Sequence, residues 1–192
     1  MTGADWHSGR SDTRWVVFSG PPCAGKTAAL ELLQSNGFTI QWEASRLLTA
    51  SAVLSERGPI IKGNQLEFER RIAQYQTAVE EALSVSERIL LDRALPDSAA
   101  YLRYLGAPSV QLERACHRLR YAAVFFFAAV DYEQDPLRTE TEAAAIAIGK
   151  SIRSYYYELG YNLIEVPRFS MDRTESLEQR RRFLLAELDK IN

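Results

Sequence analysis

Residues Gly20-Pro21-Pro22-Cys23-Ala24-Gly25-Lys26-Thr27 match the pattern G-x-x-x-x-G-K-[ST]. An apolar run typical of a buried strand, Trp15–Ser19, precedes them, and a segment with helical spacing follows. In this context the pattern predicts a phosphate-binding loop between a strand and a helix, and the context argues against a chance glycine-rich turn. The two glycines let the backbone bend so that its N–H groups face phosphate oxygens, and the helix start favours an anion.

This loop predicts a bound nucleotide, ATP or GTP, together with Mg²⁺. Lys26 is expected to reach the β- and γ-phosphates, and the Thr27 hydroxyl is expected to ligate Mg²⁺. The guanine-specific pattern Asn-Lys-x-Asp is absent from the sequence, which favours ATP slightly. The predicted nucleotide contacts are Gly20, Pro22, Cys23, Ala24, Gly25, Lys26, Thr27 and Ala28.

Strands and helices are predicted to alternate along the rest of the chain, which indicates an α/β fold with a parallel sheet and right-handed crossovers. Apolar runs predict strands at Trp15–Ser19, Phe38–Trp42, Arg88–Asp92, Ala122–Val130 and Tyr161–Val166. Helical spacing predicts helices near Lys26–Ser35, Glu43–Leu54, Phe68–Leu83, Asp97–Tyr104, Ser109–Leu119, Thr141–Glu158 and Ser176–Ile191. We expect a flexible tail over residues 1–14 and one domain over residues 15–192, with a lid near 131–150.

The composition excludes several classes of protein. The 192 residues carry 23 Lys plus Arg and 25 Asp plus Glu, and this balance argues against a nucleic-acid-binding protein with a dominant basic surface. The two cysteines and two histidines have no metal-ligand spacing. The longest apolar run is far shorter than the roughly 20 residues that span a bilayer. We therefore expect a cytoplasmic protein with no membrane contact, and the oligomeric state stays open, a homodimer included.

A second carboxylate is predicted to face the nucleotide from the end of the third strand. Asp92 follows the apolar residues of that strand, at the sheet edge where ligands bind in open α/β folds. It is expected to hold Mg²⁺, and a strand-end Asp that caps a turn is the alternative. Arg93 comes next in the chain and is expected to contact a phosphate or a substrate group.

The acceptor side is predicted from the end of the second strand. Glu43 is placed to accept a proton from an attacking hydroxyl, and a favourable position at a helix N-terminus is a compatible alternative. Arg46 is expected to hold the acceptor together with Arg93. Arg138, in the segment after the fourth strand, is expected to reach the transferring phosphoryl group from the lid, and a solvated loop arginine is its alternative.

Two further groups of charged residues have a structural interpretation. Asp97 is expected to cap a helix rather than contact substrate. The run Arg180-Arg181-Arg182 on the last helix is expected to form a solvated face, with its role left open.

Several motifs together resemble the NadR-like family of P-loop ATPases and kinases, relatives of the ribosylnicotinamide kinase domain that often carry the label AAA-family ATPase. The motifs are GPPCAGKT (20–27), WEASR (42–46), LLDRALPDSAAYLRYLG (90–106), DPLRTETEAA (135–144) and YYELGYNLIEVP (156–167). The family has Pro-Glu-Ala-Ala-Arg at the second motif, where this chain has Trp42 in place of proline. The resemblance implies a three-layer αβα sandwich with strand order 2-3-1-4-5, and base contacts near Arg168 and Phe169.

The sequence is compatible with two functions. The first is a Mg-ATP-dependent kinase that phosphorylates a hydroxyl of a small, nucleoside-like metabolite. In this hypothesis Lys26, Glu43, Asp92 and Arg138 carry the catalysis. The second is a nucleotide-dependent regulatory switch with slow ATP or GTP hydrolysis. The fold alone does not separate them.

Overall fold

The computed structural model of the chain describes residues 10–44, 65–128, 141–169 and 172–191. The strands in these ranges are β1 (Ser11–Asp12), β2 (Val16–Ser19), β3 (Thr39–Gln41), β4 (Ile89–Asp92), β5 (Leu119–Arg120), β6 (Ala123–Phe127) and β7 (Leu163–Val166). The helices are α1 (Lys26–Ser35), α2 (Gln65–Ala82), α3 (Leu95–Tyr104), α4 (Val110–Cys116), α5 (Glu142–Glu158) and α6 (Arg173–Leu188). The alternation of strand and helix confirms the predicted α/β class.

Five strands form one parallel sheet in the order β3-β4-β2-β6-β7. Counted within this sheet alone, the order is 2-3-1-4-5, as the family resemblance implied. The strand β2, which leads into the phosphate-binding loop, lies at the centre and pairs with β4 on one side and β6 on the other. The sequence pattern of β6 follows from this position, because a central strand covered on both faces is apolar at successive residues.

Alternate residues of the central strands pack on opposite faces of the sheet. Val17 and Leu91 join a core with helices α2 to α5, whereas Phe18 and Leu90 join a second core with α1 and α6. The arrangement is the predicted three-layer αβα sandwich. Full burial of one such side chain contributes roughly 2–3 kcal/mol, so the two cores supply the main stabilisation of the sheet.

The N-terminal residues 10–14 correct one prediction. The sequence predicts a flexible tail here, but Ser11–Asp12 pair in parallel with Leu119–Arg120 as a two-stranded sheet. The Arg10 side chain also donates a hydrogen bond to the Leu159 carbonyl at 2.9 Å. Polar residues without a hydrophobic pattern gave no sequence signal for this pairing, which is held by backbone hydrogen bonds. Residues 1–9 lie outside the described ranges.

Helix α2 confirms the helix predicted near Phe68–Leu83, but the apolar positions that predicted it are not its most buried residues. The apolar positions from Phe68 to Leu83 are only half-buried. The buried residues are Glu69, Ala73, Gln76 and Glu80. The physical reason is polar pairing, because the Glu80 carboxylate accepts hydrogen bonds from the Tyr121 hydroxyl at 2.7 Å and the Leu95 N–H at 2.8 Å.

Two predicted elements fall partly or wholly outside the described residues. The helix predicted over Glu43–Leu54 is described only to residue 44, and the predicted lid is described only from residue 141 onward. Residues 142–150 of that lid form the start of α5, where Ala145 and Ile148 are buried. Among the described ranges, no helix has the length and apolar character that a bilayer span requires.

Candidate functional site

The phosphate-binding loop joins β2 to α1 and depends on glycine at both ends. Gly20 has φ +135°, and a Cβ atom there would lie 2.7 Å from the Phe127 carbonyl oxygen. Gly25 has φ +78° immediately before α1. Cys23 also has a positive φ, +59°, which is uncommon for a residue with a side chain. The sharp loop predicted from the motif is therefore present, with left-handed backbone at three of its positions.

Lys26 is buried inside this loop. Its Nζ donates hydrogen bonds to the Pro21 carbonyl at 2.8 Å and to the Gly20 carbonyl at 3.3 Å. Only 5% of the surface of Lys26 is exposed. A buried ammonium group next to the start of a helix gives the loop positive charge from two sources, the side chain and the helix dipole. The loop is suited to bind a polyanion.

Thr27 and Asp92 meet at the adjacent strand end. The Thr27 hydroxyl donates to Asp92 Oδ2 at 3.2 Å. Burial, and next the charge of Glu43, raise the pKa of Asp92 from 3.8 to about 6. The other carboxylate oxygen, Oδ1, is buried and has no hydrogen-bond partner among the described residues. Hydroxyl and carboxylate oxygens are the ligands that Mg²⁺ prefers, so this pair fits the predicted metal site.

Glu43 and Arg93 bring the acceptor side to the same edge of the sheet. Arg93 Nε donates to Glu43 Oε1 at 2.9 Å, and Arg93 Nη1 donates to the Gly20 carbonyl at 3.1 Å. Burial acts to lower the pKa of Arg93, but the charges of Glu43 and Asp97 raise it well above its ordinary value. Arg93 therefore stays charged and connects Glu43 to the phosphate-binding loop.

Asp97 holds Arg93 in place. Its Oδ1 accepts hydrogen bonds from Arg93 Nη1 at 3.1 Å and from the Ser19 hydroxyl at 2.7 Å. Its Oδ2 accepts from the Tyr156 hydroxyl at 2.7 Å and from the Ala94 N–H at 3.2 Å. The last bond is the helix cap predicted from the sequence. The other three make Asp97 a buried link between β2, Arg93 and α5, which the sequence did not indicate.

Arg180 corrects the prediction that the arginine run of α6 is a solvated face. Its Nη1 donates to the Ala24 carbonyl at 3.0 Å and its Nε to the Pro167 carbonyl at 3.3 Å. Only Arg182 is exposed as predicted; Arg181 is half-buried, and both pair with Glu178. The sequence did contain a signal for the burial of Arg180, because Arg180 stands four positions before Leu184 and eight before Leu188, on the same face of the helix. The buried positions of α6 recur at intervals of four and are Ser176, Arg180, Leu184 and Leu188.

Three other predicted site residues can be placed as follows. Pro22 is buried within the loop, and Ala28 is half-buried in the first turn of α1. Arg168 is half-buried after β7, and its charge acts on Arg180. Arg46 and Arg138 lie outside the described residues. The structure thus brings Lys26, Thr27, Asp92, Glu43 and Arg93 together, with Arg168 near the Arg180 side of the loop.

A family model for an AAA domain matches residues 15–180. The chain belongs to this AAA-domain family. The match covers the loop, the strand that ends at Asp92 and the first half of α6, and it confirms the resemblance to NadR-like P-loop proteins that carry the AAA label. Among curated protein sequences, the chain has no significant match.

Solved structures show the same fold as this AAA-domain protein at low sequence identity. Thymidylate kinase from Ehrlichia chaffeensis has a TM-score of 0.60 at 13% identity, over 93% of this chain and 99% of that one. Deoxyadenosine kinase from M. mycoides, with dCMP and dCDP, has a TM-score of 0.62 at 12% identity, over 92% of this chain and 100% of that one. NadR protein in complex with NR has a TM-score of 0.68 at 12% identity. That alignment covers 93% of this chain but 50% of NadR, so the chain corresponds to half of that protein.

Proposed function

We propose that the chain is a Mg-ATP-dependent kinase that transfers the γ-phosphoryl group to a hydroxyl of a small, nucleoside-like metabolite in the cytoplasm. One observation carries the proposal. A single guanidinium, Arg93, contacts both the Glu43 carboxylate and the Gly20 carbonyl of the phosphate-binding loop. A carboxylate so close to the phosphate loop has the position of a group that receives a proton from an attacking hydroxyl.

In the proposed reaction, the acceptor oxygen forms a bond to the γ-phosphorus while the bond from that phosphorus to the β–γ bridging oxygen breaks. The acceptor proton passes to Glu43, and ADP leaves with the electron pair of the broken bond. Lys26 neutralises charge on the phosphates, and Arg93 orients Glu43. Such transfers depend mainly on positioning and charge neutralisation, which these buried groups are suited to provide.

A bound Mg²⁺ would neutralise charge on the β- and γ-phosphate oxygens. Thr27 and Asp92 would hold it, since their oxygens are adjacent and one carboxylate oxygen is without a hydrogen-bond partner among the described residues. The nucleoside-like acceptor is proposed from the fold shared with thymidylate and deoxyadenosine kinases and with NadR. Arg46 and Arg138 keep their proposed roles at the acceptor and the transferring phosphoryl group, and Arg168 its role at the base.

The decisive experiment is a screen of nucleosides and related metabolites for acceptor-dependent ADP release, with Lys26→Ala as the blank. A true acceptor raises ADP release in the wild-type protein and appears as a phosphorylated product by mass spectrometry. If no compound accelerates ADP release while Lys26-dependent slow hydrolysis persists, the regulatory switch replaces the kinase as the function.

Once an acceptor is found, Glu43→Gln tests the proton-accepting role. We expect turnover to fall by roughly 10²–10⁴-fold, the usual contribution of general base catalysis, with ATP affinity retained. Glu31→Gln is the matched control, because Glu31 is exposed on α1, which follows the same loop. Full turnover in Glu43→Gln would show that another group accepts the proton.

A further inference from the structure

Arg180 is a buried cation on α6 that contacts the phosphate-binding loop. The residue is 4% exposed, although it lies in a run of three arginines whose last member, Arg182, has a side chain that is 75% exposed. It bridges two backbone carbonyls, Ala24 in the loop and Pro167 after β7. Its third nitrogen, Nη2, is buried and has no hydrogen-bond partner among the described residues.

The charge of Arg180 is not balanced in the described part of the chain. Its hydrogen bonds go to carbonyl oxygens, and no carboxylate pairs with it there. Burial, and next the positive charge of Arg168, lower its pKa. Arg93 differs, because two carboxylates neutralise it. A buried cation without a counter-charge is costly, so an anion is expected nearby in the functional state.

The contact with Ala24 also orients the loop. A peptide unit is planar and trans, so the Ala24 carbonyl and the Gly25 N–H point in opposite directions. Arg180 fixes the carbonyl on the side of α6, and the N–H is thereby turned away from α6. A Cβ at Gly25 would lie 2.7 Å from Arg180 Nη1, so the close approach of the guanidinium requires glycine here. Hydrogen bonding at the carbonyl also polarises the peptide and strengthens the N–H as a donor.

We propose that Arg180 is a positioning residue for polyphosphate: it holds the Ala24–Gly25 peptide with its N–H directed at the phosphates, and its buried charge is balanced by them. This inference rests on the nucleotide site of the proposed function. It assigns to the last helix a part in phosphate binding that neither the loop motif nor the family match indicates.

Two probes separate phosphate positioning from base recognition: ATP, and inorganic tripolyphosphate, which has no base. We expect Arg180→Met to weaken binding of both probes at least tenfold by calorimetry, and Arg180→Lys to recover part of the loss because it keeps the charge. Arg182→Met is the matched control and should bind both probes like the wild type, since Arg182 pairs only with Glu178 among the described residues. Thermal unfolding verifies that each variant is folded at the temperature of the titration.

Affinities within twofold of wild type in folded Arg180→Met overturn the inference, and so does a loss confined to ATP, which would indicate a base contact. If Arg180→Met does not fold, Arg180→Lys decides alone. The lysine cannot bridge the Ala24 and Pro167 carbonyls as a guanidinium does. A loss of affinity of about threefold for both probes therefore supports the inference, and wild-type affinity overturns it. If the wild-type protein binds neither probe, the proposed function itself fails, independently of Arg180.

Discussion

Arg93 Nε lies 2.9 Å from Glu43 Oε1, so an ion pair joins the end of β4 to the segment that follows β3. Arg93 has φ +69°, a strained backbone conformation for a residue with a side chain. The surrounding bonds compensate this strain, since Glu43, Gly20 and Asp97 all accept from the same guanidinium. The position of Glu43 therefore depends on Arg93 and, through Arg93, on Gly20 and Asp97.

Asp97→Asn should uncouple Arg93 from its support. The amide replaces a carboxylate that accepts four hydrogen bonds, and it brings donors to a site that needs only acceptors. Loss of one partner from a buried ion pair costs about 3 kcal/mol, and we expect a loss of this size in the free energy of unfolding. Urea denaturation measures it.

Tyr156→Phe removes only one of the four bonds and serves as the comparison. We expect it to cost about 1 kcal/mol. Equal costs for the two variants would contradict the view that the charge of Asp97, rather than its packing, holds Arg93.

Gly20→Ala should disrupt both the fold and the loop. A Cβ there would lie 2.7 Å from the Phe127 carbonyl oxygen, and φ +135° adds backbone strain. Steric overlap and backbone strain each cost roughly 1–3 kcal/mol, and we expect nucleotide binding to be lost as well. Gly37→Ala is the control, because Gly37 has φ +90° but no atom within 4 Å of the new Cβ. It should cost about 1–2 kcal/mol by thermal unfolding and leave binding unchanged.

Glu80 should make the stability of the protein depend on pH. Burial raises its pKa from 4.5 to about 7, although Gln76, Tyr121 and the Leu95 N–H donate to it. Between these pH values the folded state binds more protons than the unfolded state, so the free energy of unfolding falls as the pH rises from about 4.5 through about 7. The full effect is on the order of 3 kcal/mol.

Glu80→Gln mimics the protonated acid. The free energy of unfolding, measured by urea denaturation, should therefore fall less between pH 5 and pH 8 in this variant than in the wild type. Glu81→Gln is the neighbouring control, because Glu81 is exposed and pairs with Arg118 at the surface. A wild-type decrease that persists undiminished in Glu80→Gln would assign the pH dependence to another group.

Asp92→Asn should remove the magnesium dependence of nucleotide binding. In the wild-type protein, ATP affinity in Mg²⁺ should exceed that in EDTA, whereas in the variant the two affinities should agree. The free energy of unfolding without ligand should not fall, because the amide removes a buried charge and keeps an oxygen for Thr27. A variant that retains the difference between Mg²⁺ and EDTA would show that the metal has other ligands.

The sequence predicted the strands and the loop because both depend on strong local patterns, whereas the strand order came from the family resemblance. Apolar runs marked each strand of the main sheet, and the glycines of the loop occupy positions where a Cβ has no room or a positive φ is required. Asp92 ends β4 and Glu43 follows β3, so both lie where the carboxyl ends of parallel strands meet, and their chemical roles stay predictions.

Other features depend on contacts between residues far apart in the chain, and local patterns carry little information about these. Arg180 contacts Ala24, which lies 156 positions earlier, and its run of arginines resembled a solvated face. The buried face of α2 can include the Glu80 carboxylate because Glu80 accepts hydrogen bonds from the Leu95 N–H, at the start of α3, and from the Tyr121 hydroxyl. A hydrophobic pattern cannot reveal a carboxylate that is buried through hydrogen bonds.

The pairing of Ser11–Asp12 with Leu119–Arg120 has a practical consequence for protein production. The family match begins at Trp15, and a recombinant fragment cut at that boundary would lose β1. The backbone of β5 would then be left as an open edge, and such edges recruit strands from other molecules. A fragment that begins before Arg10 should be recovered in higher soluble yield and with less aggregate on size-exclusion chromatography than one that begins at Trp15.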